Sequence, residues 1–243
     1  MKTLVYAIGD VHGKFDLFQQ LVREYDPSLH QLVLIGDLND RGPQTKECFL
    51  LGMKLVKETG AVYLRGNHEE YFLQFLQAPE DWYEPYLRNG GKETFESLLH
   101  PEAAEEYSPT EIAMMIRSRY SELIEFLVER PLYFEWGNYL FVHAGVDLSK
   151  KDWHQTSPRD FIWIREPFHE GANHTGKTIV FGHTITPMLH GDMQTTDLWR
   201  NDHKIGIDGG AVFGGSMHGV IFDQNGILQD IEYQNNEGPW QGI

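Results

Sequence analysis

The first third of the chain alternates apolar runs with segments in which apolar residues recur every three or four positions. Residues 3–8, 32–35 and 61–64 form the apolar runs, which are typical of strands covered on both faces. Residues 15–25 and the stretch after Pro43 have helical spacing. Strands that alternate with helices form parallel sheets with crossover helices, so this pattern predicts an α/β fold.

Residues 69 to about 130 are predicted to be mainly helical. The sequence Ser108-Pro109-Thr110-Glu111 is typical of a helix start, with a serine cap, a proline at the first helical position and a glutamate at the third. Residues 78–101 are richer in Trp, Tyr, Gly and Pro. We therefore expect that stretch to be partly loop, with a turn at residues 89–91.

After residue 130 the pattern changes to short strands and turns. Residues 132–134 and 139–142 flank a Trp-Gly-Asn turn and predict a hairpin, and Ser157-Pro158 predicts a short helix. The remaining predictions are a buried strand at 178–181, strands at 195–199 and 204–207, a strand pair at 220–222 and 227–233, and a loose tail from about Asn235. Because no repeat or linker interrupts the chain, we expect one domain over residues 1–243.

Charge and cysteine content narrow the classes of function. The 243 residues include 36 acidic and 20 basic side chains, for a formal net charge of -16. Such a field repels polyanions, so no nucleic-acid partner is expected. Cys48 is the only cysteine, which excludes an intrachain disulfide and favours a reducing compartment. No apolar stretch is long enough for a membrane span, and the N-terminus is typical of a strand, so we expect a cytoplasmic protein.

Five short polar blocks follow predicted apolar strands. Their glycines allow sharp turns and close approach to a ligand, and the residues between them are carboxylates, imidazoles and an amide. Those groups suit borderline divalent cations such as Mn, Fe and Zn. The blocks are Gly9-Asp10-Val11-His12-Gly13, Gly36-Asp37-Leu38-Asn39-Asp40-Arg41-Gly42, Gly66-Asn67-His68-Glu69, His143-Ala144-Gly145 and Gly182-His183.

A single block of this kind is weak evidence. An aspartate after a strand is often only a turn former, and a lone histidine is often a satisfied core or surface group. Five blocks at the ends of predicted strands are much harder to explain in that way, because ligands of open α/β sheets bind at the carboxyl ends of strands. The blocks therefore predict a metal site.

In their order and content the blocks resemble the signature of the phosphoprotein phosphatase family, within the calcineurin-like metallophosphoesterases. The family pattern is GDxHG, GDxxDRG, GNHE, HAG or HGG, and GH, and the resemblance spans roughly residues 3 to 215. It implies two mixed β-sheets packed as a sandwich with helices outside. The HAG block, the short length and the turn at residues 89–91 favour the bacterial branch.

The resemblance also implies a bimetal centre at one edge of the sandwich. The expected cations are Mn²⁺, with Fe or Zn as alternatives, and a hydroxide that bridges them would attack the phosphate. By motif position the ligands are Asp10 and His12 for the first cation, Asp37 as the bridge, and Asn67, His143 and His183 for the second.

Four further residues receive roles from the resemblance. His68 would be the general acid, oriented by Asp40, and Arg41 would bind the phosphate oxygens. Arg165 is the candidate for a second phosphate-binding arginine, although a solvated arginine at a helix end is an alternative. Asn39 stands where the family usually has an apolar residue, which we interpret as a change beside the site.

Three functions remain open at this point. The first is a serine/threonine protein phosphatase that hydrolyses phosphomonoesters in phosphoproteins, and the second is a symmetrical diadenosine tetraphosphate hydrolase. The third is a phosphatase-like scaffold without activity, which the complete set of motif residues disfavours. The aromatic residues at 82–95 either stack on a nucleobase or form helix core. The sequence predicts neither a serine or tyrosine preference nor an oligomeric state.

Overall fold

The computed structural model describes residues 2–235, which form two five-stranded mixed sheets. The first sheet has the strand order β10-β9-β1-β2-β3, and the second has the order β4-β5-β6-β8-β7. The strands are β1 Leu4–Ile8, β2 His30–Leu34, β3 Val62–Tyr63, β4 Tyr133–Trp136, β5 Tyr139–Val142, β6 Thr178–Phe181, β7 Trp199–Asn201, β8 Lys204–Gly206, β9 Ser216–Phe222 and β10 Ile227–Gln234.

Parallel pairing in the middle of each sheet brings strand ends together. In the first sheet β1 pairs in parallel with β2, and β2 with β3, while β9 pairs antiparallel with β1. In the second sheet β5, β6 and β8 are parallel, and β4 and β7 are antiparallel edges. The loops that follow the parallel strands therefore emerge at the same end of each sheet, where the carboxyl ends of the strands lie.

Most helices lie in the first two thirds of the chain. They are α1 Phe15–Arg23, α2 Thr45–Thr59, α3 Asn67–Gln77, α4 Pro79–Leu87, α5 Gly91–Leu98, α6 Ala103–Glu106, α7 Pro109–Arg119, α8 Ser121–Val128, α9 Pro158–Trp163, α10 Glu166–His169 and α11 Thr186–His190. Two short 3₁₀ helices cover Trp153–Gln155 and Ala211–Phe213.

Three hydrophobic clusters separate these elements into layers. The inner cluster joins the two sheets, with residues such as Val33 of β2 and Phe141 of β5 in one buried group. A second cluster packs the other face of the first sheet against helices α1 to α8, and a third packs the second sheet against α9 and α10. The expected sandwich flanked by helices is confirmed.

The sequence predictions for the first sheet and the hairpins are confirmed within a few residues. Helix α7 begins with the predicted capping box, since Ser108 Oγ accepts from the Glu111 amide and the Glu111 carboxylate accepts from the Ser108 amide. Helix α2 begins at Thr45, two residues after Pro43. The strand predicted at 195–199 lies further along, at Trp199–Asn201. Of the predicted tail, only Asn235 belongs to the described residues.

The expectation of a partly looped stretch at 78–101 holds for the turn at residues 88–90, but most of the stretch is helical. Helices α4 and α5 occupy most of it, joined by a short turn in which Gly90 has φ +90°. Pro79 stands at the start of α4, where its missing N–H costs nothing. The rings of Tyr86 and Phe95 are fully buried and lie 5.4 Å apart, so tertiary packing overrides the weak helical propensity of this segment.

None of the helices within residues 2–235 has the length and apolar character that crossing a lipid bilayer requires. Cys48, on α2, is a buried free thiol, and burial together with nearby Glu47 raises its pKa well above the ordinary value. Its side chain therefore acts as a small core residue.

An ion pair between a buried histidine and an exposed aspartate ties β9 to β10. The His218 ring, which is fully buried, contacts the Asp230 carboxylate at 2.9 Å through Nδ1 and the Thr196 carbonyl at 2.8 Å through Nε2. Burial alone lowers the pKa of His218, but Asp230 and the Thr196 carbonyl raise it above its ordinary value. The folded protein therefore holds this proton more tightly than the unfolded chain does.

Stability should consequently be pH-dependent through this pair. A folded pKa above the unfolded one contributes stability that is complete below the unfolded value and is lost as pH rises through the folded value. Asp230→Asn should lower the free energy of unfolding by about 1–2 kcal/mol at pH 6, and by less at pH 9. Urea unfolding at both pH values tests this, and an equal loss at both would contradict it.

Candidate functional site

The candidate ligands come from the carboxyl ends of five strands, where the two sheets meet. Asp10 follows β1, Asp37 follows β2 and Asn67 follows β3, while His143 and His183 follow β5 and β6. His12, in the loop after β1, joins them. All six side chains are buried, and each sheet contributes part of the cluster.

Backbone strain is concentrated at this cluster. Five of the eight described non-glycine residues with positive φ belong to the sequence-predicted site, at His12, Asp37, Asp40, Arg41 and His183. Positive φ is unfavourable for residues with a Cβ, and it persists where the surrounding structure enforces it, often in functional sites.

Two glycines explain how the polar groups come so close to the backbone. A Cβ at Gly66 would lie 2.1 Å from Asp37 Oδ1, and a Cβ at Gly182 would lie 2.0 Å from Asp10 Oδ1. Any larger residue at either position would push a candidate carboxylate away.

Asp37 lies at the centre of the cluster. Its Oδ2 is 3.3 Å from His143 Nε2, 3.7 Å from His12 Nε2 and 3.9 Å from His68 Nε2. Burial on its own would raise the pKa of this carboxyl, but His143 and His68, with His12, hold the pKa well below its usual value. The carboxylate is therefore ionised despite its burial.

Two groups of side chains are compact enough to hold a cation each. The first is His12, Asp37 and His68, and the second is Asp37, His143 and His183, with the potential ligand atoms of each group within 4.8 Å of one another. Asp37 is common to both groups. Its position is that of a carboxylate able to bridge two cations, while His68 in the first group is a residue expected to act as an acid.

Backbone carbonyls fix the orientation of two of the rings. Nδ1 of His12 donates to the Asn39 carbonyl at 2.8 Å, and Nδ1 of His143 donates to the Ile35 carbonyl at 3.1 Å. In both rings this leaves Nε2 facing the cluster. Such a contact behind the ring is what sets the tautomer of a metal-binding histidine.

The donor set fits cations by two independent observations. Among residues 2–235, the buried atoms Asp10 Oδ1 and His183 Nε2 have no hydrogen-bond partner, although such atoms are usually satisfied. In addition, burial lowers the pKa of His143, but the neighbouring Asp37 carboxylate outweighs this effect and raises the pKa to about 9. His143 Nε2 lies 2.9 Å from Asn67 Oδ1, so these two candidate ligands of the second cation are adjacent.

His68 and Asp40 form a pair beside the cluster. Nδ1 of His68 donates to Asp40 Oδ2 at 2.7 Å, and both residues are buried. The other Asp40 oxygen accepts from Tyr86 and from Thr94, each at 2.5 Å. Helices α4 and α5 thus hold the carboxylate that orients His68.

Asn39 also positions His68, which makes it more than a neutral change beside the site. Its amide donates to the His68 carbonyl at 3.0 Å and to the Tyr86 hydroxyl at 3.3 Å, and its own carbonyl orients His12. An apolar residue at this position would keep the contact of its backbone carbonyl with His12, but it would lose the hydrogen bonds to His68 and Tyr86.

Both predicted arginines reach the cluster. Arg41 Nη1 lies 2.6 Å from His12 Nε2, and its guanidinium stacks over the Phe213 ring at 5.2 Å. Arg165 is half-buried and donates to Thr184 Oγ1 at 2.8 Å, so it is not a solvated helix-end residue. Burial lowers its pKa, while Glu166, Asp208 and Asp10 oppose the shift.

Sequence reasoning missed Asp208. This residue is buried near the cluster, and burial followed by its negative neighbour Asp208 raises the pKa of Asp10 well above the usual value. Asp208 Oδ1 accepts from the Gly210 amide at 3.0 Å. Its glycine-rich surroundings give no signal of a functional carboxylate, and its nearness to Asp10 is visible only in the fold, where the segment after β8 runs beside the end of β1.

Comparison with known proteins agrees with the geometry. The model of the calcineurin-like phosphoesterases matches residues 3–218, and the chain belongs to this family of metal-dependent hydrolases of phosphoester bonds. It is 28% identical over 222 residues to serine/threonine-protein phosphatase 1 of Salmonella typhimurium, covering 88% of this chain and 89% of that protein.

Other relatives carry names of a different activity. The chain is 26% identical to the asymmetrical bis(5'-nucleosyl)-tetraphosphatase of Oceanobacillus iheyensis, over 89% of this chain and 88% of that protein. A symmetrical enzyme of this name from Dechloromonas aromatica is 30% identical, but only over 58% of this chain and 43% of its own length.

Solved structures share the fold at low identity. A protein provisionally assigned as a diadenosine tetraphosphatase has a TM-score of 0.69 at 18% identity, covering 98% of this chain and 96% of that one. A cold-active protein tyrosine phosphatase has a TM-score of 0.57 at 17% identity, covering 96% of this chain and 79% of that one.

Glu69 holds the backbone segments that carry the site residues in place. Its buried carboxylate accepts from the amides of Asp37, Leu38 and Gly66 and from the Tyr63 hydroxyl, at 2.7–2.9 Å. It thereby fixes the loop after β2 to the start of α3.

Glu69→Gln should lower the free energy of unfolding by on the order of 3 kcal/mol, because the amide loses the charge and turns a donor towards backbone donors. Glu70→Gln is the matched control on the same helix. The Glu70 carboxylate pairs with Arg65 and accepts from Gln74 at a partly exposed site, so its loss should cost under about 1 kcal/mol. Denaturant unfolding measures both, and similar losses would argue against the structural role of Glu69.

Proposed function

We propose that this chain hydrolyses phosphomonoesters of phosphoserine and phosphothreonine with the aid of two divalent cations. The proposed ligands are Asp10 and His12 for the first cation, Asp37 as the shared ligand, and Asn67, His143 and His183 for the second. The observation that carries the proposal is the sharing of the Asp37 carboxylate by two groups of potential ligands.

Bound cations would supply positive charge against the phosphate and lower the pKa of a coordinated water. Two buried atoms that have no hydrogen-bond partner among residues 2–235, Asp10 Oδ1 and His183 Nε2, support the proposed binding of cations. Mn²⁺ is the expected metal, with Fe or Zn as alternatives, because mixed carboxylate, imidazole and amide donors suit all three.

Arg41 links cation binding to substrate binding. Its guanidinium now contacts His12 Nε2, the lone pair that a cation at His12 would need. Ligation by His12 therefore requires Arg41 to turn away, and the freed guanidinium can then bind phosphate oxygens in a bidentate manner together with Arg165.

His68 is the proposed proton donor to the leaving alkoxide. The Asp40 contact fixes Nδ1–H, so Nε2 is the atom that faces the cluster and exchanges the proton. Tyr86 and Thr94 occupy the second oxygen of Asp40, which prevents the carboxylate from rotating.

The proposed substrate is a phosphoprotein or a small phosphoester, without nucleic acid as a partner. The cytoplasm is the proposed location, because the chain has a single, buried thiol and needs no oxidising compartment. A scaffold without activity is disfavoured by the family match and by the intact His68, Asp40 and Arg41 arrangement.

Symmetrical hydrolysis of diadenosine tetraphosphate is the second candidate function. Relatives with that name, and an aromatic cavity beside the site, favour it. The same catalytic residues would serve both reactions, so the substrate distinguishes them and the cluster does not.

Two substitutions distinguish the role of a metal ligand from the role of the general acid. His68→Asn should lower kcat on substrates with poor leaving groups by about 10²–10⁴-fold and leave the metal content intact. Asp37→Asn should lose the metal, because both groups depend on this carboxylate. Metal analysis and kinetics on phenyl phosphate and p-nitrophenyl phosphate measure the two effects.

An activity-independent readout accompanies this test. Mn²⁺ should raise the unfolding temperature of the wild type and of His68→Asn, but not that of Asp37→Asn. Loss of the Mn²⁺ response in His68→Asn would make His68 a ligand, as its place in the first group of side chains permits.

A substrate panel tests the proposed reaction itself. With Mn²⁺, the wild type should hydrolyse p-nitrophenyl phosphate and serine- or threonine-phosphorylated peptides, and a chelator should abolish both activities. Faster turnover of diadenosine tetraphosphate than of every phosphopeptide would replace the first candidate with the second, and no turnover of any substrate would refute both.

A further inference from the structure

A cavity of about 530 Å³ lies next to the candidate site, and the residues that line it take no part in the proposed metal binding or proton transfer. Helices α3, α4 and α9 and the segment before β4 form its walls. Three aromatic side chains line it, Tyr71, Trp82 and Trp163, together with three arginines, Arg65, Arg130 and Arg159. Its volume is in the range of small-molecule sites.

The aromatic side chains connect this cavity to the cluster. The Tyr71 and Trp163 rings are 5.2 Å apart and perpendicular, and Trp82 lies 5.8 Å from Tyr71 on the far side. Tyr71 is 6.2 Å from the His68 ring, and Trp163 is 5.7 Å from the His183 ring. A group in the cavity would therefore belong to a substrate whose phosphate lies at the cluster.

The three aromatic side chains in this cavity are partly exposed, and they differ from their aromatic neighbours in burial or in the partner of the ring. Tyr86 and Phe95 are fully buried, and Tyr83 is half-buried with its hydroxyl on the Ala104 carbonyl. The core interpretation of the aromatic segment is therefore correct for these three, while Trp82 alone among them faces the cavity. A partly exposed tryptophan offers a face on which a flat ring can stack.

The charge of the cavity is opposite to that of the protein. Three arginines face one acidic residue, Glu70, in a chain whose formal net charge is -16. Arg65 pairs with Glu70, and Arg130 stacks on the Phe126 ring. Arg159 is exposed and has neither an ion pair nor a hydrogen bond within residues 2–235. At least one guanidinium is thus free for an anion.

We propose that this cavity binds a nucleoside 5'-phosphate portion of the substrate, with the base on the aromatic rings and a phosphate near Arg159. The proposal rests on the proposed phosphoesterase function, since it places the reacting phosphate at the cluster. It assigns the second candidate reaction, on a dinucleoside polyphosphate, to this chain as an additional activity.

The chemistry of the walls favours a nucleotide over a peptide. A peptide in extended form is usually held through main-chain hydrogen bonds to a strand edge. Strand β4 begins at Tyr133, after the lining residues Pro131 and Leu132, so the cavity presents side chains and no strand edge. Flat rings and guanidinium groups in one cavity match a ligand that joins an aromatic base to a negatively charged phosphate.

Four variants test the assignment. Trp82→Ala removes a stacking face, Trp82→Phe keeps one, and Arg159→Ala removes the free cation. Arg119→Ala is the matched control, because Arg119 is an exposed arginine at the end of α7 that lies outside the cavity lining. The measured quantity is kcat/KM for diadenosine tetraphosphate divided by kcat/KM for p-nitrophenyl phosphate, with Mn²⁺.

Trp82→Ala should lower this ratio by about 10-fold or more, because base stacking on one aromatic side chain contributes a factor of that size. Arg159→Ala should lower it by a similar factor, because the variant loses a charge-assisted contact with the phosphate. Trp82→Phe should recover most of the ratio, and Arg119→Ala should leave it at the wild-type value. An unchanged ratio in Trp82→Ala and Arg159→Ala overturns the nucleotide site, even if the wild type is an active phosphoesterase.

A binding measurement tests the nucleotide site without requiring turnover. Calorimetric titration of the Mn²⁺-loaded wild type should show tighter binding of ADP than of pyrophosphate, and Trp82→Ala should remove that difference. If the wild type hydrolyses nothing, the proposed function fails while this titration still decides the cavity. If the variants instead impair only phosphopeptide hydrolysis, the cavity is a peptide site and the nucleotide assignment is wrong.

Discussion

Burial of the Asp37 carboxylate is the constraint on which the rest of the site depends. A buried charge costs several kcal/mol unless partners compensate it, and here the partners are imidazoles from separate parts of the chain. His143 comes from the second sheet and His12 from the first, so the charge is satisfied only when the two sheets meet. Glu69 then fixes the loop that carries Asp37 through backbone amides. The sandwich and the site are therefore one energetic unit.

The sequence predicted the elements whose apolar pattern is local. The runs before Asp10 and Asp37 are buried on both faces in the structure, which is why they are continuous in sequence. The helices at 78–101 could not be predicted from a local pattern, because they are stabilised by contacts distant in sequence, such as those of Tyr86 with Asp40 and Asn39. Glycine and proline in that stretch suggested a loop, and tertiary packing decided otherwise.

The site was predictable where a block carries several polar residues between glycines. All ten predicted site residues lie at or beside one cluster, although their roles remain proposals. Asp208 lacked such a signal, since its neighbourhood of glycines looks the same whether or not its carboxylate is used. The cavity lined by Trp82 and Arg159 was equally hidden, because its walls come from segments about 80 residues apart in sequence and only the fold makes them neighbours.

The division of the site between the sheets also sets an order of assembly during synthesis. Chain emerging from a ribosome first delivers Asp10, His12, Asp37 and Asn67, which are four of the six proposed ligands. His183 lies more than a hundred residues after Asn67, and β9, which pairs with β1, is made later still. The first group of potential ligands, His12, Asp37 and His68, thus lies within the early chain, and the second, which needs His143 and His183, is complete only when most of the chain has been made.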